Sequence, residues 1–208
     1  MNDAAGKDGG SVSIVRHNGS VTHAERTALL GQTPVTFWLT GLSGAGKSTL
    51  AFALERKLFD LGKTVYVLDG DNIRHGLSRD LGFSAAERSE NIRRIAEVAR
   101  LMNDAGLIVI SAMISPYEAD REIARRIIGQ AAFLEIYLST PLAVCEQRDP
   151  KGLYKSARDG HVKQFTGVSA PYESPAAPAL ALDTSLADLD TCLKMTLDCA
   201  ARVFSSLP

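Results

Sequence analysis

Residues 41–49 have the residue types and the spacing of a phosphate-binding loop. They read Gly-Leu-Ser-Gly-Ala-Gly-Lys-Ser-Thr, a full match to the pattern G-x-x-x-x-G-K-[S/T]. The glycines allow backbone N–H groups to turn inward around a phosphate, while Lys47 can reach the β- and γ-phosphates and Ser48 can bind Mg²⁺. The spacing therefore predicts a site for ATP and Mg²⁺. The predicted nucleotide-binding residues of the loop are Gly41, Ser43, Gly44, Ala45, Gly46, Lys47, Ser48 and Thr49.

The segments on either side of this loop are those that the pattern requires. Residues 35–40 form a β-branched and aromatic run typical of a strand, and residues 50–58 favour a helix. A strand would thus lead into the loop, and the amino terminus of the helix would add a partial positive charge beside the phosphates. This context argues against a glycine-rich turn that matches the pattern by chance.

A second cluster follows the next predicted strand, residues 63–68. Residues 69–74 read Asp-Gly-Asp-Asn-Ile-Arg. The carboxyl ends of parallel strands face the ligand crevice, so we expect Asp69, Asp71 and Arg74 beside the loop. Two carboxylates and an arginine suit Mg²⁺ orientation, activation of an acceptor hydroxyl and anion binding. A polar surface turn would look similar in isolation, but its position favours a functional role.

Two further segments point toward the same crevice. A helix from about residue 86 to 105 would carry Arg88 and Asn91 in its first turn, where an anion can also bind. The alternative for its arginines is a solvated helix face. The apolar run 107–114 predicts a central strand, and the proline after it would leave Ser115 in the crevice.

The region from about residue 148 to 178 interrupts the alternation of strands and helices. Loops of this length in compact domains commonly serve as lids, so we expect the region to close over the crevice and exclude water. Its basic and aromatic residues are Arg148, Lys151, Lys155, Arg158, Lys163, Tyr154, Phe165 and Tyr172.

The remaining patterns predict an α/β fold. Further strands are expected at 133–138 and 179–183, and further helices at 118–129, 141–147 and 186–204. The architecture would be a three-layer sandwich of the P-loop NTPase type, with a parallel five-stranded sheet, helices on both faces and a basic lid.

A partly disordered N-terminal arm, 1–33, would precede the domain of the phosphate-binding loop at 34–208, with the lid at about 148–178. The arm begins with a polar tail, followed by an extended piece at 12–15. A short helix at 23–30 would follow, opened by a capping box of Thr22 and Glu25.

Composition limits the partners that we expect. The 208 residues include 23 basic and 24 acidic side chains, a formal net charge of −1, which argues against a nucleic-acid or membrane-surface footprint. The longest apolar run, 107–110, is too short to span a bilayer. Three cysteines without metal-ligand spacing favour a reduced, cytoplasmic setting, with Cys145, Cys192 and Cys199 as packing residues.

Taken together, these motifs resemble those of the adenylylsulfate kinases, which phosphorylate the ribose 3′-hydroxyl of adenosine 5′-phosphosulfate (APS) with MgATP. The resemblance covers nearly all of the chain and lies in ordered motifs rather than in the loop alone. These motifs are residues 41–49, 69–74, 81–84, 88–94, 114–117, 148–155, 165–167 and 171–173.

The resemblance implies roles for individual residues. Asp71 would orient or deprotonate the 3′-hydroxyl, and Phe83 and Phe165 would sandwich the adenine of APS. Arg148 and Arg158 would lie near ATP, on the lid. The implied catalytic residues are Asp71, Lys47 and Ser115. The implied substrate-binding residues are Asp71, Arg74, Phe83, Arg88, Asn91, Ile114, Ser115, Lys151 and Phe165.

Ser115 divides two mechanisms, because family enzymes have been described with a phosphoserine here. Direct in-line transfer needs only positioning, Mg²⁺, Lys47 and a base, so we favour it, with Ser115 as a binding residue. The chain departs from many relatives at Glu118, where they have arginine, and at Glu87, where they have aspartate. The change at 118 predicts either weaker substrate binding or a side chain that points to solvent.

Two other functions remain open at this stage. A kinase for another small molecule, such as a nucleotide or a sugar, would keep the loop and the lid. A catalytically silent nucleotide-binding module would not need Lys47, Ser48 and Asp71. The resemblance also suggests a homodimer that involves the arm, and it leaves open an association with a sulfate adenylyltransferase.

Overall fold

A single parallel sheet organises the chain. The computed structural model describes residue 17 and residues 19–203. The strands are β1 Thr36–Gly41, β2 Val65–Asp69, β3 Ile108–Ala112, β4 Phe133–Leu138 and β5 Leu180–Leu182. They pair in the order β2-β3-β1-β4-β5, and every pair is parallel. The predicted five-stranded sheet is therefore confirmed.

Helices cover both faces of the sheet. They are α1 His23–Leu30, α2 Lys47–Asp60, α3 Gly70–Arg74, α4 Ala85–Asp104, α5 Glu118–Ile128, α6 Leu142–Arg148, α7 Leu153–Arg158 and α8 Leu189–Val203. One core cluster joins the sheet to α2, α6, α7 and α8, and a second joins it to α4 and α5. This arrangement confirms the predicted three-layer sandwich.

The central strand β1 supplies both cores, because its side chains alternate between the two faces. Phe37 and Leu39 enter the cluster under α2, whereas Trp38 packs on the α4 side against Phe133, with ring centroids 5.5 Å apart. All six residues of β1 are buried, as expected for a parallel strand covered on both faces.

Two short helices were missed by the sequence patterns. The patterns predict no helix at α3, directly after the second strand, and α7 lies within the predicted lid, 148–178. Neither is long enough to show a periodic apolar face. In both, an aspartate carboxylate accepts from N–H groups of the first turn: Asp69, the N-cap of α3, accepts from Asp71 and Asn72, and Asp149, before α7, accepts from Tyr154 and Lys155.

The described part of the arm docks at the end of the sheet where the strands begin. Helix α1 has the predicted capping box between Thr22 and Glu25. After it, the Gln32 side-chain amide bonds the backbone of Thr64 and Gly106, which lie just before β2 and β3. The arm is thus attached away from the carboxyl ends of the strands. The predicted tail, the extended piece at 12–15 and residue 204 lie outside the described residues.

No helix of the described residues is long and apolar enough to cross a membrane. All three cysteines are free thiols; Cys145 and Cys192 are buried and Cys199 is half-buried, as expected for packing residues.

Candidate active site

The sheet topology brings three of the predicted motifs to one edge of the sheet. Strand β1 lies between β3 and β4, so the strand order reverses at β1. In open parallel sheets, ligands bind beyond the carboxyl ends of the strands at such a point. Here the phosphate loop follows β1, Asp69 ends β2, and residues 114–117 follow β3.

The phosphate loop has a backbone that only glycines can supply. Gly44 and Gly46 have φ of 77° and 93°, in the left-handed region. A Cβ on Gly44 would lie 2.8 Å from the Cys145 carbonyl oxygen, and one on Gly41 would lie 2.6 Å from that of Leu138. The loop therefore lies directly against β4 and α6.

Lys47 is buried at the base of the loop, where its ammonium donates to the carbonyl oxygens of Gly41 and Leu42, at 2.9 and 2.7 Å. Burial lowers the pKa of Lys47 from 10.5 to about 8, because it penalises the charged form. An anion bound in the loop would offset this penalty.

Ser48 and Asp69 form a pair of oxygen donors beside the loop. The Ser48 hydroxyl donates to the Asp69 carboxylate at 2.7 Å. A hydroxyl and a carboxylate fit a hard cation such as Mg²⁺, which usually keeps water and phosphate oxygens as its other ligands. The described residues contain no cluster of three or more His, Cys, Asp or Glu suited to a metal.

Two threonines that the sequence patterns missed support the back of the loop. The Thr184 hydroxyl donates to the Ala45 carbonyl at 3.1 Å and lies 2.9 Å from the Thr140 hydroxyl. Arg148 donates to the Thr184 hydroxyl and carbonyl oxygens, at 2.7 and 2.8 Å, and to the Gly44 carbonyl at 3.3 Å. Arg148 therefore lies beside the loop, and Thr184 connects the two.

Asp71 lies on α3 and faces the lid. Its carboxylate forms an ion pair with Lys151, although the two residues are 80 positions apart. Both side chains are half exposed or more. Because the Asp69 carboxylate caps α3, one of the two oxygen donors suited to Mg²⁺ also sets where Asp71 lies.

Phe83 is an exposed ring flanked by two arginines. It is 61% exposed, with the guanidinium of Arg74 4.3 Å and that of Arg88 5.8 Å from the ring centroid. Burial lowers the pKa of both arginines. An exposed aromatic face between two cations suits a ligand that is flat at one end and anionic at the other.

Arg88 also connects the segment at Phe83 to the predicted lid. It donates to the Phe83 carbonyl at 2.8 Å, the Gln164 carbonyl at 2.8 Å and the Thr166 hydroxyl at 3.2 Å. Phe165, between the last two, is only 6% exposed and packs edge-to-face on Tyr154 at 5.0 Å. The two predicted stacking rings thus differ, since Phe83 is open to solvent and Phe165 is mostly buried.

The segment after β3 places Ser115 in the interior. Ser115 is 3% exposed; its hydroxyl donates to the Thr40 hydroxyl at 2.8 Å and accepts from the Trp38 indole at 3.2 Å. The carbonyl oxygen of Ile114 accepts from Thr40 at 2.7 Å. This serine is therefore held by the end of β1.

Asn91 lies one turn further along α4 than predicted. The capping box of Ser84 and Glu87 starts α4 at Ala85, so Arg88 lies at the end of the first turn and Asn91 in the second. Asn91 is 6% exposed, and within the described chain its Oδ1 has no hydrogen-bond partner. A buried acceptor without a partner is available to a ligand or to water.

The first half of the lid is packed on the domain. The Tyr154 hydroxyl donates to the Ser43 carbonyl of the phosphate loop at 2.9 Å. Arg158 pairs with Glu146 on α6, where its Nε lies 2.8 Å from the carboxylate. The Glu118 side chain is exposed, which favours the solvent-facing explanation of this substitution.

Comparisons with known proteins identify the family of this chain. Residues 33–183 match the adenylylsulphate kinase family. The adenylyl-sulfate kinase of Shewanella pealeana is 56% identical over 91% of this chain and 93% of its own. That of Shewanella denitrificans is 59% identical over 86% and 87%.

Among solved structures, the APS kinase of Mycobacterium tuberculosis in complex with AMPPNP and APS has a TM-score of 0.78 and 47% identity. It covers 80% of this chain and 97% of its own. A gluconokinase from Sinorhizobium meliloti has a TM-score of 0.54 at 18% identity over 83% and 95%, which shows the fold alone. The sequence resemblance is thus confirmed: the chain belongs to the adenylylsulphate kinase family and is an ATP-dependent kinase.

Proposed function

We propose that the enzyme transfers the γ-phosphoryl group of MgATP to the 3′-hydroxyl of APS by direct in-line displacement. The observation that carries this proposal is the contact between the two sets of residues. Asp69 accepts from Ser48 of the phosphate loop and caps the helix that carries Asp71, while Phe83 presents an exposed ring beside Arg74 and Arg88. One half suits a triphosphate, and the other suits a second, anionic purine nucleotide.

On the donor side, the loop amides and Lys47 hold the β- and γ-phosphates. When ATP binds, the Lys47 ammonium exchanges its two carbonyl partners for phosphate oxygens and regains a stable positive charge. Ser48 and Asp69 would hold Mg²⁺, which neutralises charge on the phosphates when bound. Arg148, beside the loop, binds the nucleotide from the lid.

On the acceptor side, Asp71 receives the proton of the 3′-hydroxyl. The bond from O3′ to the γ-phosphorus forms, the bond from that phosphorus to the β,γ-bridging oxygen breaks, and the proton moves to the Asp71 carboxylate. For this step Lys151 must leave Asp71, and the phosphosulfate of APS gives it another anionic partner. Arg74, Arg88 and Asn91 bind the same group, and Phe83 stacks on the adenine.

Ser115 acts through its position rather than as a phosphoryl carrier. Its hydroxyl is buried and has partners on two sides in Trp38 and Thr40. A phosphoryl group on that oxygen would replace the proton that it donates to Thr40. Stereochemical analysis with ATP made chiral at the γ-phosphorus tests this point, because one displacement inverts the configuration and two displacements retain it. Retention would overturn direct transfer.

One coupled assay tests the substrate assignment. We expect ADP release from ATP with APS, and none above background with AMP or gluconate. Turnover with gluconate or AMP alone would assign a different small-molecule kinase to the same scaffold. No turnover with any acceptor would indicate a silent nucleotide-binding module, which the intact set of Lys47, Ser48 and Asp71 argues against.

We infer a homodimer from the family resemblance. A hexameric APS kinase from Thiobacillus denitrificans, 35% identical with a TM-score of 0.62, covers 82% of this chain, which in turn covers 29% of that chain. Light scattering coupled to size exclusion measures the assembly directly. A monomer at micromolar concentration would contradict the dimer.

A further inference from the structure

Arg121 is a buried arginine that contacts three separate segments of the chain. It lies on α5, is 2% exposed, and its Nε lies 3.0 Å from the carboxylate of Glu135 on β4. Its other two nitrogens donate to backbone carbonyl oxygens, that of Ser115 at 2.8 Å and that of Glu173 at 2.7 Å. One guanidinium thus joins the segment after β3 to the far end of the lid.

The backbone at Ser115 needs this support. Its φ of 37° lies in the left-handed region, which is unfavourable for a residue other than glycine. Such a conformation persists only where several contacts enforce it. Thr40 and Trp38 hold the Ser115 hydroxyl, and Arg121 holds its carbonyl oxygen.

The end of the lid depends on the same group of contacts. The Glu173 N–H donates to the Pro116 carbonyl at 2.8 Å, and the Glu173 carboxylate accepts from the Glu118 N–H at 2.7 Å. The Tyr172 hydroxyl lies 3.0 Å from that of Thr40. A cavity of about 210 Å³ lies nearby. It is lined by Arg88, Tyr117 and the lid residues Gln164 and 169–171, which precede Glu173.

Arginine suits this position better than lysine. Its planar guanidinium presents five N–H donors in a fixed fork, and three acceptors surround it here. A lysine ammonium in the same place could keep the charge opposite Glu135, but it could not span all three acceptors at these distances. The geometry therefore depends on the shape of the side chain as well as on its charge.

We propose that Arg121 is a positioning residue of the acceptor pocket. By holding Ser115 and Glu173 together, it fixes the positions of the segment after β3 and the far end of the lid, and the acceptor binds between these two segments. Acceptor affinity then depends on Arg121, whereas ATP affinity does not, because within the described residues its hydrogen bonds and its ion pair go to Ser115, Glu173 and Glu135 rather than to the phosphate loop. This inference rests on the proposed function in taking APS as the acceptor.

Arg125 provides a matched control. It lies one turn further along α5 and donates to the same Glu135 carboxylate at 2.8 Å, but its other contacts are with Glu122 and the Phe133 ring rather than with Ser115 or Glu173. Arg121→Met and Arg125→Met each remove one arginine from this buried carboxylate. Only the first also removes the two carbonyl contacts, and Arg121→Lys keeps the charge with an incomplete set of contacts.

The expected result is a split in the Michaelis constants. Arg121→Met should raise the KM for APS about tenfold or more, with the KM for ATP within about twofold. Arg121→Lys should lie between it and the wild type, and Arg125→Met should change neither constant by more than about twofold. Hydrogen exchange of residues 164–173 should be faster in both Arg121 variants and unchanged in Arg125→Met.

Each other outcome contradicts the proposal. Equal effects of Arg121→Met and Arg125→Met, or equal rises in both Michaelis constants, would indicate a structural role only. If Arg121→Met does not fold, Arg121→Lys decides, and a wild-type KM for APS in that variant overturns the proposal. Wild-type protein without APS turnover would refute the proposed function instead, and the hydrogen-exchange contrast would still decide whether Arg121 anchors the lid.

Discussion

The two halves of the crevice are built in different ways. The donor half comes mainly from one continuous segment, the loop between β1 and α2, and its shape is set by glycine backbone and by Lys47 within the same segment. The acceptor half is assembled from α3, the start of α4, the segment after β3 and the lid. Side chains such as Arg88 and the Asp71–Lys151 pair connect these segments. The donor half thus depends on fewer contacts between distant segments than the acceptor half does.

The largest test of this difference is Asp71→Ala. Loss of a base that orients and deprotonates the acceptor should lower kcat by about 10²- to 10⁴-fold, with ATP binding retained. Steady-state kinetics and calorimetric titration with ATP measure the two quantities. Asp159→Ala, at an exposed aspartate of the lid, is the control and should behave as the wild type. Unchanged turnover in Asp71→Ala would remove Asp71 from catalysis.

Phe83→Ala should affect the acceptor half alone. The exposed ring offers a stacking face, and loss of stacking with a base costs about 1–3 kcal/mol, so we expect the KM for APS to rise about tenfold. The KM for ATP should stay within about twofold. Phe52→Ala is a control, since Phe52 is an exposed phenylalanine on α2. A rise in the KM for ATP equal to that for APS would show that the halves are not separable at Phe83.

Thr184→Val should affect the donor half alone. It removes the hydroxyl that bonds Ala45 and Arg148, and a hydrogen bond of about 1 kcal/mol predicts a roughly fivefold rise in the KM for ATP. Thr184→Ser restores the hydroxyl and should restore affinity. Failure of the serine variant to recover would mean that the methyl group, not the hydrogen bond, supports the loop.

The smallest expected effect is the pH dependence of ATP binding. The pKa of Lys47 is lowered to about 8 in the free enzyme, and phosphates favour its charged form, so binding takes up a proton near this pH. Affinity is full below pH 8 and falls as the pH rises through 8, by about threefold between pH 7.5 and 8.5. Calorimetry in buffers of different ionisation enthalpy measures the proton uptake. Lys47→Arg should abolish it, and uptake that persists in this variant would assign the proton to another group.

Regular elements and the loop could be predicted because their signals are local. The period of apolar residues placed β4 at its observed bounds, and the pattern around Lys47 predicted the loop without reference to the rest of the chain. Helices α3 and α7 were missed because each has only five or six residues and is too short to show a period. The aspartate that precedes each segment, Asp69 or Asp149, was the sequence signal that could have indicated these helices.

What the sequence determined by itself is the donor half and the family, because both rest on contiguous motifs whose chemistry follows from residue type and spacing. Only the tertiary structure decided which distant groups meet. It paired Asp71 with Lys151, put Thr184 behind Ala45, and placed Arg121 between Ser115 and Glu173. The physical reason is that these contacts depend on strand order and helix packing, and neither can be read from the local spacing of residues.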